Sequence, residues 1–362
     1  MTDIIKDYGF SSSIFKKNTK LMEIQGAFSR LEGSSTKIDF SSALKASLGE
    51  FTERLVQLSR PKNYNGIVGY DVMNEKSVSL EYSDAFLLRE KMGSDSKSDF
   101  ADSSGTAFFT NTDESIRKAM FEFVERQSLV YSFLCEWPGH KIDNLKIKKA
   151  FNYYNKFNFS TIYANDISIV NGISIVIFVG LNSNSYNVGL GADYNQFDAL
   201  KKAISEGMGT MQFSISNEEI ENREKDIHQI DKELSQCDPS ALNYSNIFFN
   251  RLTPTFIEER FHYLTKGTYE INKKGTNYLL LNKEDIIKNL KYIGRTLSID
   301  PTLIFIGNGP DRVKAGSVVK VTSRGCYPHI FTPFIEPEKY SISYKINKNP
   351  DFCNEGKYLP FP

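Results

Sequence analysis

The sequence holds one tryptophan and four cysteines, Cys135, Cys237, Cys326 and Cys353, far apart and with no Cys-x-x-Cys pair. That spacing excludes a zinc ribbon and a disulfide framework, and it fits a reducing, cytoplasmic compartment. The four histidines, His140, His228, His262 and His329, are too scattered to form a ligand set, and His329 in "CYPHIF" reads as structural. Net charge is missing too: 44 basic side chains balance 44 acidic ones, so the footprint of a dedicated nucleic-acid binder is absent. The most apolar run, "ISIVNGISIVIFVGL" (167–181), is too short for a bilayer and is interrupted by Asn171-Gly172, so no membrane role is expected. No apolar stretch follows the charges of "MTDIIKDYGFSSSIFKK", which excludes a secretory signal. What is present is ordinary for a globular protein: 362 residues, 40% hydrophobic and 24% charged, enough to bury a large core.

Helical periodicity places Leu44, Leu48, Phe51 and Leu55 on one stripe over 41–58. Short strands are expected at 64–72 and 76–83, then a polar, turn-rich stretch from 94 that runs into a long helix over 113–135. "TNTDES" supplies that helix with a cap and early acidic residues. Asn171-Gly172 between β-branched runs predicts a type I′ hairpin of two core strands. "NVGLGADYNQ" (187–196) reads as a glycine-bearing loop before a helix over 197–212. The segment 217–236 is heavily charged with a thin apolar stripe, which predicts a solvated surface helix, with a partner-docking arm as the other reading. From 270 onward strand-like and helical pieces alternate, and 350–362 has little regular pattern. These elements predict one α+β domain over 1–362, with a lead-in at 1–25 and an extended tail at 350–362.

One octet occurs in three versions: "ALKASLGE" (43–50), "SIRKAMFE" (115–122) and "ALKKAISE" (199–206). All follow the order small, aliphatic, basic, any, small, apolar, any, Glu, which suggests a pseudo-symmetric loop-plus-helix unit. The first two continue alike, as "GEFTERL" and "FEFVERQ", so Glu50 with Glu53 and Glu122 with Glu125 share helical faces. In isolation Glu-x-x-Glu-Arg is a solvated face. Repeated, and joined by Glu206, it marks a point where carboxylates converge. Two like charges at about 4 Å repel by ~1 kcal/mol in water and by ~4 kcal/mol at an effective dielectric near 20. Such a cluster calls for protons or for hard divalent cations shared with a polyphosphate, whose oxygens Arg54 and Arg126 can meet in fork geometry.

"SALKASLGEFTERL", "DSSGTAFFTNTDESIRKAMFEFVER" and "GLGADYNQFDALKKAISE" resemble the signature segments of the YcaO superfamily, and "KYLPFP" resembles the proline-rich end of its azoline-forming cyclodehydratases, the D proteins of thiazole/oxazole-modified microcin synthetases. The resemblance implies ATP-dependent conversion of Cys, Ser or Thr in a ribosomal precursor peptide to thiazoline or oxazoline. It implies ATP and Mg2+ as cofactors, with Glu50, Glu53, Glu122, Glu125 and Glu206 as metal ligands. Arg126 and Lys202 would then contact phosphates, and Ser103, Ser104 and Thr110 would line the nucleotide pocket. Pro360 and Pro362 are implied to act at the reacting amide, the latter through a terminal carboxylate. The chain departs from the pattern at Tyr358, where a further proline would stand, at Gly209, where glutamine is common, and at Ser104, where many relatives have asparagine. Implied partners are a ThiF/E1-like leader-peptide-binding protein, since the chain is expected to carry the ATP domain alone, and a flavin-dependent azoline dehydrogenase. The alternatives are thioamide or amidine formation, or a non-catalytic nucleotide-binding scaffold.

Overall fold

The computed structural model describes residues 5–12, 20–26, 32–37, 39–58, 67–81, 102–153, 159–209, 211, 215–227, 229–236, 244–269, 285–308 and 316–361. In chain order these hold strands β1 (Ile5–Ser12), β2 (Lys20–Gly26) and β3 (Glu32–Lys37), then helix α1 (Phe40–Leu58). Next come β4 (Ile67–Asp71), β5 (Lys76–Leu80), β6 (Thr106–Phe109), α2 (Thr112–Leu134), β7 (His140–Lys141) and α3 (Asn144–Tyr153). β8 (Thr161–Asp166), β9 (Ser174–Asn182), β10 (Ser185–Asp193) and α4 (Gln196–Gly209) follow, then α5 (Asn217–Ile227), α6 (Ile230–Gln236), α7 (Tyr244–Arg251) and α8 (Pro254–Phe261). β11 (Thr268–Tyr269), α9 (Ile286–Leu297), β12 (Thr302–Asn308) and β13 (Ser317–Thr322) come next, and short 3-10 turns lie at His262–Lys266, Thr332–Phe334, Pro337–Lys339 and Ser341–Tyr344.

The strands form three sheets, ordered β1-β2-β3, β5-β4-β12-β13-β6 and β10-β9-β8-β7-β11. This is the α+β class expected. Helices α1, α2 and α4 each pack against a sheet: α1 on β3, α2 on β6 and β13, and α4 on β10. The main core joins one face of α2 (Met120, Phe123, Val124) to Ile175, Ile177 and Leu190 of β9 and β10, and to Tyr358, Leu359 and Phe361. α2 begins as the sequence predicts: the Asn111 side chain accepts from the Asp113 N–H at 2.8 Å, and Asp113 and Glu114 occupy the first turn. Cys135 then closes it, its N–H donating to Tyr131 O.

The lead-in at 1–25 contains β1 and most of β2. Three expectations need correction. The segment 217–236 is two helices, α5 and α6, with Ile227, Ile230 and Leu234 buried, rather than one solvated helix. The hairpin exists, but β8 ends at Asp166 and β9 starts at Ser174, so 167–173 is a loop. Gly172 has a positive φ (88°) and Asn171 does not, so the turn is not type I′. Burial decides this: Ile167, Val170 and Ile173 enter the core from the loop. Ser168 Oγ holds it closed, accepting from the Ile175 N–H at 2.8 Å. The third correction is "NVGLGADYNQ", which is mostly strand β10, buried along nearly its whole length. A Cβ on Gly191 would collide with Ala199 O and sit 2.5 Å from Ala203 N, and one on Gly189 would lie 2.5 Å from Gly207 N. The glycines serve close helix–strand packing rather than a turn.

Candidate active site

The three octets place their helices by the same device. Ala43 and Ser47, Ser115 and Ala119, and Ala199 and Ala203 are all fully buried. Each pair lets its helix backbone approach a strand closely. Gly33 of β3 lies against α1, where a Cβ would stand 2.7 Å from Phe51 N. On α2, Ser115 Oγ donates to Ser317 O of β13 at 2.8 Å. On α4 the approach is made over Gly189 and Gly191.

With the helices so held, their carboxylates come within electrostatic reach of one another. Glu53 on α1 is enclosed and faces Glu122 and Glu50; burial first, then those two charges, push its carboxyl well above the ordinary range. Glu122 on α2 is pushed up to about 7, mainly by burial, with the charges of Asp102 and Glu206 adding to the rise and Arg126 opposing it. Glu125 reaches about 8 through burial and the charges of Glu206 and Glu122. Glu122 keeps 29% of its side chain exposed, so protein encloses it while one side stays open to solvent. Glu206 on α4 is fixed by the Leu190 N–H, which donates to its Oε2 at 2.9 Å. Glu50 pairs with Arg54 at 2.6 Å. The structure therefore brings all five predicted glutamates to one place.

Arg126 stands among them. Burial acts against its charge, but Glu122, Glu125, Glu206 and Asp102 raise its affinity for the proton. Its Nε is 3.8 Å from Glu122, and its buried Nη1 has no hydrogen-bond partner among the described residues. Arg54 is more exposed, at 46%. Lys202 gives its ammonium to Asp193 and to Ala192 O, both at 2.8 Å, while its charge also reaches Glu125.

Two residues that sequence reasoning missed complete the charge set. Lys320 on β13 is 2% exposed, and its Nζ donates to Asp102 O at 2.5 Å. Burial lowers its pKa, against the pull of Asp102, Glu122 and Glu53. Asp102 opens the loop that holds Ser103 and Ser104: its Oδ1 accepts from the Ser104 N–H at 2.7 Å and its Oδ2 from the Ile330 N–H at 3.0 Å. Gly105 turns that loop with a φ of 73°, and a Cβ there would meet Val321 O. Ser103 and Ser104 are half-buried and Thr110 is exposed just ahead of α2. His329 is buried, its pKa pushed down to about 4 by that burial, so it is a neutral ring packed against Phe331.

The tail also arrives here. Tyr358, Leu359, Pro360 and Phe361 are buried, and Pro362 lies outside the described residues. The Arg126 guanidinium lies over the Phe361 ring, 4.8 Å from its centre. This segment fills core, with Phe361 against Arg126 and so beside the glutamates.

Mutually repelling carboxylates, with burial raising the pKa values of Glu53, Glu122 and Glu125, beside a buried guanidinium nitrogen that has no hydrogen-bond partner among the described residues, suit Mg2+ and a polyphosphate. Among the described residues no three acidic, histidine or cysteine groups form a ready-made cage. Mg2+ shared with phosphates takes one or two carboxylates and completes its shell with water and phosphate oxygens, so open pairs such as Glu122/Glu125 suffice. Among the described residues no helix is long and apolar enough to cross a membrane.

Comparison with known proteins agrees with this geometry. The fold is shared with a YcaO from Methanopyrus kandleri bound with AMPPCP and Mg2+, at 12% identity and a TM-score of 0.64, over 94% of this chain and 89% of that one. It is also shared with the E. coli microcin synthetase McbBCD complex with pro-MccB17 bound, at 12% identity and a TM-score of 0.67, over 98% and 96%. A heterocyclase in complex with substrate and cofactor matches at 14% identity and a TM-score of 0.68, over 99% of this chain, which spans 54% of that one. No curated protein sequence matches. The family profile described as YcaO cyclodehydratase, ATP- and Mg2+-binding, matches residues 27–262, a stretch that carries all three octets and both carboxylate pairs. The chain therefore belongs to the YcaO family of ATP-dependent cyclodehydratases.

Proposed function

We propose that this chain forms azolines in a ribosomally made peptide, as the ATP-consuming subunit of a bacteriocin- or microcin-type synthetase. In that reaction a Cys, Ser or Thr side chain adds to the preceding amide carbonyl and gives its proton to solvent or a base. The amide oxygen takes the γ-phosphoryl group of ATP, releasing ADP. The phosphorylated oxygen then leaves as phosphate while the amide nitrogen gives up its proton to a base and forms the C=N bond, leaving a thiazoline or oxazoline one water lighter than the peptide. Phosphoryl transfer asks a protein mainly for positioning and charge neutralisation. Glu50, Glu53, Glu122, Glu125 and Glu206 would hold Mg2+, whose part is to neutralise the phosphates. Arg126 Nη1 would donate to a phosphate oxygen, and the Ser103-Ser104 turn would line the nucleotide.

The observation that carries the reading is the meeting at Arg126 of the carboxylate cluster and the buried tail segment. A nucleotide-binding scaffold needs the first and has no use for the second. A peptide-modifying enzyme has a use for both, because the segment brings backbone to the place where phosphate is transferred. A precursor peptide and a leader-binding partner follow from this reading, as does an azoline-oxidising dehydrogenase.

The test is incubation of the full chain with ATP, Mg2+, a Gly/Ser/Cys-rich peptide encoded beside its gene and the product of any adjacent ThiF-like gene. Intact-mass measurement is expected to show loss of one water per modified residue, abolished by Glu125→Gln. Exchange of oxygen for sulfur, or ATP-independent mass loss, would overturn the assignment.

A further inference from the structure

The charged segment 217–236 has no part in the nucleotide site, yet it reaches it indirectly. Its second helix, α6, buries Ile230 and Leu234 and turns Asp231 toward the tail. Asp231 Oδ1 accepts from the Tyr358 N–H at 2.7 Å, across 127 residues of chain. Its Oδ2 takes Arg260 Nη2 at 2.5 Å; Arg260 is only 9% exposed and lies over the Phe256 ring. One residue further along the tail, Thr332 Oγ1 accepts from the Leu359 N–H at 3.0 Å and donates to Lys357 O at 2.6 Å. The peptide groups just ahead of Phe361 are thus fixed from two sides.

We propose that Asp231 is a positioning residue, the clasp that holds Tyr358–Phe361 against Arg126; its consequence for nucleotide binding rests on the function proposed above. A buried N–H left unpaired costs free energy comparable to a lost hydrogen bond, so the Asp231 oxygen fixes where Tyr358 sits. From there the chain has only three residues in which to reach the Phe361 position. Phe361 in turn keeps the guanidinium in place: with the ring beneath it, Arg126 Nε stays 3.8 Å from Glu122 rather than in a closed ion pair. Without the ring, the guanidinium is free to fold onto the Glu122 and Glu125 carboxylates in fork geometry, using the donor that a phosphate would take. The clasp therefore holds Arg126 open.

Two readouts on the full chain test this: amide hydrogen exchange over 357–361, and calorimetric titration with AMPPCP in the presence of Mg2+. Asp231→Ala is expected to speed exchange at Tyr358 and Leu359 about tenfold or more while α2 and the sheets stay protected, and to weaken AMPPCP binding about tenfold. Asp231→Asn keeps the acceptor oxygen and should remain within about threefold of wild type in both. Phe361→Ala should weaken AMPPCP to the same degree with Tyr358 exchange unchanged. If Asp231→Ala does not fold, Asp231→Ser should release Tyr358 in the same way. Unchanged exchange at Tyr358 overturns the clasp, as does equal damage from Asn, which would trace the effect to the Arg260 pair alone. Faster exchange with intact AMPPCP affinity overturns the link to Arg126. Failure of the wild type to bind AMPPCP would instead sink the nucleotide reading, and the exchange data would still decide the clasp.

Discussion

Lys320 lies inside an apolar strand, with Val318, Val319 and Val321 around it and its ammonium against Asp102, Glu53 and Glu122. Its charge offsets part of the repulsion in the cluster, so Lys320→Met removes one partner and leaves buried carboxyls uncompensated. The loss is expected to be about 3 kcal/mol, and larger near pH 8 than near pH 6, because at the lower pH the carboxyls can protonate instead. Urea denaturation at both values checks this; equal losses would mean that Lys320 only fills space. At Arg126, a lysine retains charge but not the planar fork of donors, so Arg126→Lys should weaken AMPPCP binding about tenfold with the melting temperature within about 2 °C of wild type. The glutamates and Arg126 were legible because the octet repeats. Lys320 and Asp102 were not, since they meet 218 residues apart along the chain and neither belongs to a repeated pattern. The one available signal was the lysine in "SVVKVTS", a charge interrupting β-branched residues that a buried strand would otherwise keep apolar.

At the scale of elements, helices were the easier part. α1 and α2 fall within a residue of their expected ends, because an apolar stripe marks α1 and a cap with early acidic residues marks α2. β10 was missed since its glycines imitate a loop. What distinguishes it is a helix pressed onto the strand, which only the folded chain shows. Gly191→Ala places a methyl group against the backbone of α4 at Ala199 and Ala203, and a backbone atom cannot rotate away as a side chain can. The expected cost is about 3 kcal/mol. Moving α4 also moves Glu206, so AMPPCP affinity should drop in step with stability. A variant that is destabilised yet binds normally would show that Glu206 tolerates displacement of its helix. Gly172, by contrast, sits in the 167–173 loop with a φ of 88°, so its replacement strains that loop and should leave AMPPCP binding unchanged.

For the whole molecule, the α+β class could be read from alternating elements, whereas the sheet order could not. β12 pairs with β4, bringing Thr302 beside Asp71, and such distant pairing has no local signature. The same long-range closure gathers the acidic side chains, and this sets how stability depends on pH. Glu122 and Glu125 rise to about 7 and about 8 from an ordinary 4.5, and Glu53 rises with them. Between those limits the three carboxyls bind more protons folded than unfolded, so their contribution to stability is greatest at the acid end and is lost as pH rises through the window, while His329, pushed down to about 4 by burial, opposes them by one group below its ordinary 6.5. Glu75, held below its ordinary value by its hydrogen bond to Lys291, titrates beneath the window and leaves the slope alone. Trp137, the single tryptophan, packs on Tyr131 and reports unfolding. Without added metal, the melting temperature is expected to be lower at about pH 8.5 than at about pH 5.5. Mg2+ with AMPPCP must displace those protons to bind, so its stabilising effect should be larger at the alkaline end. Glu125→Gln removes the group raised further than Glu122 and should flatten the metal-free slope. A melting temperature that climbs with pH across this range would mean that the carboxylates are not gathered in one enclosed cluster, and the metal and nucleotide assignments would fall with it.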